Sequence, residues 1–204
     1  MKFSNIALIS TGLFMSCINP SIALAGNGPN GSISLNVAAK NVLSMATGVG
    51  NSSSVKASTF SNSQVDGSVQ LNVQADDLIA ISSGVGSSAS VSVATAHNSS
   101  HQGKLHLDAN VSSVISIAKG SQASSSVEVA TSSQTSGGSL QVDVSTGELV
   151  SVASANGSSA GISVGNVSGK QRGSKKIRVV TGRITNFASR AGQKSQISIG
   201  NSLN

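Results

Sequence analysis

From Gly31 onward the chain repeats one unit to its end, the units opening at Gly31, Gly67, Gly103, Gly138 and Gly173, at spacings of 36, 36, 35 and 35 residues. A fixed period of this length marks a unit that cannot bury an apolar face alone and does so by stacking on its own copies. Each unit begins with an alternating segment: Ile33, Leu35, Val37; Val69, Leu71, Val73; Leu105, Leu107, Ala109; Leu140, Val142, Val144; and, more weakly, Ile177, Val179. Polar residues between those positions predict a strand with one buried face. A shorter apolar run follows, Val42–Met45 in the first unit and Leu78–Ile81 in the second, with counterparts at Val114–Ile117, Leu149–Val152 and Ile184–Phe187. A third strand is expected around Val55, Val91, Val127, Ile162 and Ile197, after turns that carry Gly48, Gly50, Gly84, Gly86, Gly120, Gly157 and Gly192.

The predicted fold is therefore all-β, a β-solenoid of five repeats of about 36 residues with about three short strands each. Its core ladder is expected to consist of Leu35, Val37, Val55, Leu71, Val73, Val91, Leu107, Val127, Val142, Val144, Ile162, Ile177 and Ile197. Composition agrees: 2% aromatic residues and no Trp or Tyr suit a narrow coil interior that holds Val, Ile, Leu and Ala. A transmembrane β-barrel fits worse, because its strands need about 9 to 11 residues and girdles of interfacial aromatics. A globular sandwich would leave the constant period unexplained.

Residues 1–25 read as a secretory signal peptide: Lys2, an apolar stretch from Ile6 to Met15, and Ala23-Leu24-Ala25 before Gly26. The competing reading is a lipoprotein signal acylated at Cys17, which lacks the usual preceding Leu. Residues 26–30 form a short N-terminal segment, 31–172 four neutral-to-acidic β repeats and 173–204 a fifth, basic β repeat. After cleavage no cysteine remains, so neither a disulfide nor a thiol site is expected. The expected location is secreted or cell-surface. No polar capping element is visible at either end of the repeat array, and an uncovered layer is a template for another copy.

Charge divides the chain. Residues 26–169 hold four Lys against seven acids, net minus three, whereas Lys170, Arg172, Lys175, Lys176, Arg178, Arg183, Arg190 and Lys194 follow with no acid, net plus eight. Such a cluster fits an anionic partner such as acidic cell-surface polysaccharide, lipopolysaccharide or extracellular DNA. It equally fits a charged end that blunts uncontrolled stacking. His97, His101 and His106 lack the surrounding ligands of a metal site, and no set of residues with catalytic geometry emerges. Neither a cofactor nor an enzyme activity is expected.

Gly48, Gly50, Asn51 and Val55 follow a Gly-x-Gly-Asn-x-Ala-x-Val pattern, as do Gly84, Gly86, Ala89 and Val91, and in part Gly120 and Val127, then Gly157, Ala160 and Ile162. On these residues the chain resembles curlin-type secreted functional amyloid subunits. The repeat is longer than a curlin's, and the glutamine two residues after the Val is replaced by Ala57, Val93, Val129, Val164 and Ile199. That longer period, with Leu35-Asn36-Val37-Ala38-Ala39, is more similar to Fap-type amyloids. The resemblance implies edge-to-edge assembly, with itself or a related fibre subunit, into curli-like surface or biofilm matrix fibres. A basic final repeat resembles that of a minor, nucleating or anchoring subunit. The alternative is a monomeric adhesin that binds an anionic surface through that repeat.

Overall fold

A computed structural model describes residues 21–22, 32–61, 64–170, 172–189 and 193–203. All of its regular structure is strand: β1 (Ser21–Ile22), β2 (Ile33–Thr47), β3 (Ser52–Ser61), β4 (Gln64–Val65), β5 (Val69–Ser83), β6 (Ser88–His101), β7 (Leu105–Lys119), β8 (Ser124–Val129), β9 (Ser132–Ser136), β10 (Leu140–Ser154), β11 (Ser159–Val164), β12 (Val167–Ser168), β13 (Lys175–Ser189), β14 (Lys194–Ile199) and β15 (Ser202–Leu203). The five 15-residue strands form one parallel sheet in the order β13-β10-β7-β5-β2, and the remaining strands form a second. Every pairing is parallel, and between repeats each residue meets its counterpart one unit away. This is a β-solenoid, and four steps at the usual strand spacing make it about 19 Å tall.

Like lies over like. Leu35, Leu71, Leu107, Val142 and Ile177 form one continuous column, and Val55, Val91, Val127, Ile162 and Ile197 another. In the middle layers these side chains are fully buried, and with Val73, Leu78, Leu105, Val114 and Leu149 they form the apolar core.

Each layer has four sides where the sequence predicts three strands. The first two segments join into one long strand whose inward face changes phase at a bend. In β5, Val69, Leu71, Val73 and Ala75 point inward, Asp76 and Asp77 both lie outside, and Leu78, Ala80 and Ser82 resume the inward face. The second apolar run is thereby split, with Leu78 inside and Ile79 and Ile81 on the outer surface. A fourth side, formed by β4, β9, β12, β15 and the end of β6, follows a corner at Ser58, Ala94, Ala130, Gly165 and Gly200. All five corner residues have φ between 49° and 64°, a left-handed conformation that costs an L-residue roughly 1–2 kcal/mol.

The second and third sides approach each other through small residues, and a buried serine seam satisfies the polar groups between them. Ser53 Oγ donates to Ser44 O at 2.7 Å, Ser116 Oγ to Ala89 O at 3.0 Å and Ser125 Oγ to Ser116 O at 2.8 Å. Ser151 Oγ then donates to Ser125 O at 3.3 Å, carrying the seam across the third and fourth layers. Two stacked glycine columns allow the backbones to meet at the turns. A Cβ on Gly84 would lie 1.7 Å from Gly48 O, and one on Gly138 would lie 1.9 Å from Gly103 O.

Candidate assembly edges

The two ends of the stack are its least satisfied surfaces. At the C-terminal end β13 and β14 pair on one side only, with β10 and β11. Their side chains continue the interior columns into solvent. Ile197 is 49% exposed, whereas Val91, Val127 and Ile162 beneath it are 0–2% exposed. Ile199 is likewise 39% exposed above a fully buried Val164, while Val180 and Phe187, on the outer face of β13 over Ser145 and Val152, are more than half exposed.

The N-terminal end is asymmetric. Along β2, Ile33, Leu35, Val37 and Val42 are only partly buried, as expected of an open edge. On β3 the corresponding positions are covered: Val55 is 3% exposed and Phe60 0%. β1 contributes to that cover by pairing Ser21 with Thr59 and Ile22 with Phe60. β1 lies in the stretch read as a leader, so the cover it gives Phe60 belongs to the chain before cleavage.

The basic repeat forms the outermost layer. Arg178 stacks on Asp143 and Arg183 on Glu148, so the acids of the fourth layer face cations of the fifth. Lys176 lies over Gln141, and Lys194 over Ser159. Lys175 differs, because it continues the inward column of Ile33, Val69, Leu105 and Leu140, and its Nζ donates to Ser202 Oγ at 3.2 Å. An inward-pointing charge on an edge strand is a known device against indiscriminate pairing. Lys170 and Arg172 stand at the preceding corner, on an open groove of about 610 Å³ that also includes Gln64, Ser100, His101, Gln102 and Gly137. Arg190 lies outside the described residues.

The expected core-ladder residues all occupy inward columns, fully buried in the middle layers and partly exposed at Leu35, Val37, Ile177 and Ile197. Gly48, Gly84 and Gly120 share one turn column with φ of 121–129°, and Gly50, Gly86 and Gly157 a second with φ of 69–70°. Gln122, at φ 57°, fills the second column in the third layer, and Gly192 lies outside the described residues. Sequence reasoning missed the left-handed corner, because Ser58, Ala94 and Ala130 carry no glycine signal there. Only the stacking of Gly165 and Gly200 hints at it.

The three histidines are separated. His97 contacts Ser133 Oγ at 3.1 Å and Glu128 Oε2 at 3.2 Å, while His106 sits on the outer face between Gln70 and Gln141. His101 faces inward, and burial pushes its pKa down to about 4. The hydrogen bond from His97 holds the Glu128 carboxyl below its ordinary range, with the His97 charge assisting and desolvation opposing. Among the described residues no three His, Cys, Asp or Glu side chains gather around a common point, and no helix is long and apolar enough to cross a membrane.

No family model, curated protein or solved structure matches the chain.

Proposed function

We propose that this is an exported, non-catalytic structural protein whose copies stack edge to edge into surface or matrix fibres. The observation that carries the reading is the exposure of the terminal layer: Ile197 and Ile199 continue columns that are dry one layer below. Continuing the register places Ile177 over Leu35 of the next copy, Val179 over Val37, Ile184 over Val42 and Phe187 over Met45. Each added layer would bury two open faces and extend the parallel hydrogen-bond ladder, the same physics that holds the layers of one copy together.

Electron microscopy and fibre diffraction of the chain lacking residues 1–25 test this reading. Filaments with a reflection near 4.8 Å are expected. Ile197→Asp, at a half-exposed position, should leave the single copy folded and stop elongation. A persistent monomer at high concentration, across salt conditions, overturns the proposal.

A second reading is favoured by Lys175, whose inward charge opposes simple addition at the C-terminal face. On that reading the basic layer anchors a single copy, or the first copy of a fibre, to an anionic surface. Retention on such a surface that survives neutralisation of Lys176, Arg178 and Arg183 overturns it.

A further inference from the structure

The stacking reading places two basic edges against each other. No Asp or Glu occurs in β2 or β3, which carry Lys40 and Lys56, and none occurs from Lys175 to the chain end. Inside the molecule two of these cations share register positions with acids, Arg178 with Asp143 and Arg183 with Glu148, while Lys176 and Lys194 lie over Gln141 and Ser159. At a joint between copies the continued register offers Arg178 only Asn36, Arg183 only Asn41, Lys176 only Ser34 and Lys194 only Ser52. The joint therefore lacks the counter-charge that the fourth layer supplies within one copy.

A groove of matching character lies beside it. Its lining comes from one corner repeated layer after layer: Gln64 and Ser100 share a register position, as do Val65 and His101. Lys170 and Arg172 occupy the same corner at the basic end. The groove thus runs along the stacking axis, with the amides of Gln64 and Gln102 and the hydroxyl of Ser100 set among Val65, His101 and Gly137, and it ends in two exposed cations. Asp66 accepts from the groove's Gln102 Nε2 at 3.3 Å.

Resting on the stacking reading, we infer that a linear acidic polysaccharide lies along this groove and across the joint, and that its carboxylate or sulfate groups supply the missing counter-charge. Assembly is then conditional on that polymer. A polysaccharide fits better than a nucleic acid, because single-stranded nucleic acid is held by aromatic stacking platforms, and the groove lining contains no Phe, Tyr or Trp and its one ring, His101, is buried. The amide and hydroxyl lining instead matches sugar hydroxyls. Lys176 and Arg178, alternate residues on the outer face of β13, stand about 7 Å apart along the strand, so successive anionic groups of an extended polymer can reach both.

Filament growth of the chain lacking residues 1–25 is followed by light scattering and electron microscopy at about 0.01 M and about 1 M salt, where screening lengths are roughly 30 Å and 3 Å. Polygalacturonate, heparin, neutral dextran and a single-stranded DNA oligomer are the added probes. Expected at low salt is at least a tenfold acceleration by polygalacturonate or heparin, none by dextran, and growth without polymer at high salt. The double variant Ser34→Glu, Asn36→Asp places acids opposite Lys176 and Arg178 and should grow at low salt with no polymer. Lys170→Gln with Arg172→Gln should weaken binding of labelled polygalacturonate about tenfold while leaving the high-salt filaments unchanged.

Equal growth at low salt with and without polymer overturns this inference and leaves stacking intact. Acceleration by DNA alone overturns the polysaccharide assignment. Absence of filaments in every condition, the acidic double variant included, overturns the stacking reading itself.

Discussion

Leu107 is the most direct test of the column argument. It is fully buried in the middle layer, between Leu71 below and Val142 above. Leu107→Ala removes three carbons, worth about 2.4 kcal/mol at roughly 0.8 kcal/mol for each buried methylene. The cavity left behind adds to that, because a column held by backbone ladders on both sides cannot collapse, so about 3–4 kcal/mol is expected. Ile177→Ala, in the same column but at the open end, should cost about half as much, since its side chain is packed from one side only. Urea titration of single copies at low salt, monitored by far-ultraviolet circular dichroism, measures both. Hydrogen exchange identifies any end layer that opens before the rest. Equal losses at the two positions, or less than about 1 kcal/mol at Leu107, would refute the stacked column.

The phase change at Asp76–Asp77 predicts opposite outcomes for neighbours in one apolar run: Val114→Ser should destabilise by at least about 2 kcal/mol and Ile115→Ser by less than about 1 kcal/mol, both read by denaturant titration. Gly120→Ala should cost upwards of about 3 kcal/mol, because its Cβ would lie 2.0 Å from Gly84 O at a φ of 121°; a melting temperature within a degree or two of the parent's contradicts that geometry. His101 stays neutral in the fold to about pH 4, while its unfolded form takes up a proton near 6.5, so stability should fall as pH drops through that window. Replacing His101 with Leu should flatten that part of the stability curve. Glu128, held below its ordinary pKa by His97, adds a further loss only at lower pH, once its unfolded form protonates near 4.5. Deleting residues 1–25 should expose Phe60 and shorten the lag before filaments form, whereas equal lags with and without the segment would show that β1 does not guard that edge.

The architecture was readable because stacking demands that each inward position repeat its character, so Leu35, Leu71 and Leu107 recur at a constant interval. Facing was harder to read. Ile79 and Ile81 are as apolar as any core residue, and only the pair Asp76–Asp77, both of which must stay wet, marks where the inward face shifts by one residue. The fourth side escaped notice because its residues, such as Ser132 and Ser133 in β9, carry no apolar alternation. The basic edge was evident from composition alone. That Arg178 and Arg183 rest on Asp143 and Glu148, while Lys175 turns inward, emerged only from the pairing register.

The shift from a 36- to a 35-residue spacing occurs at one bulge, in the fourth side between β6 and β9. Across it His97 pairs with Ser133 and Ser99 with Gln134, leaving Asn98, at φ 48°, opposite no residue. The missing residue is absorbed there, and the next long strand pairs without further slippage, Leu105 with Leu140. Chain length is therefore negotiable at this bulge and held constant along the long strands. Extra residues, even a short foreign peptide, could be threaded in beside Asn98 and displayed from the flank of the tower while every storey above and below kept its alignment.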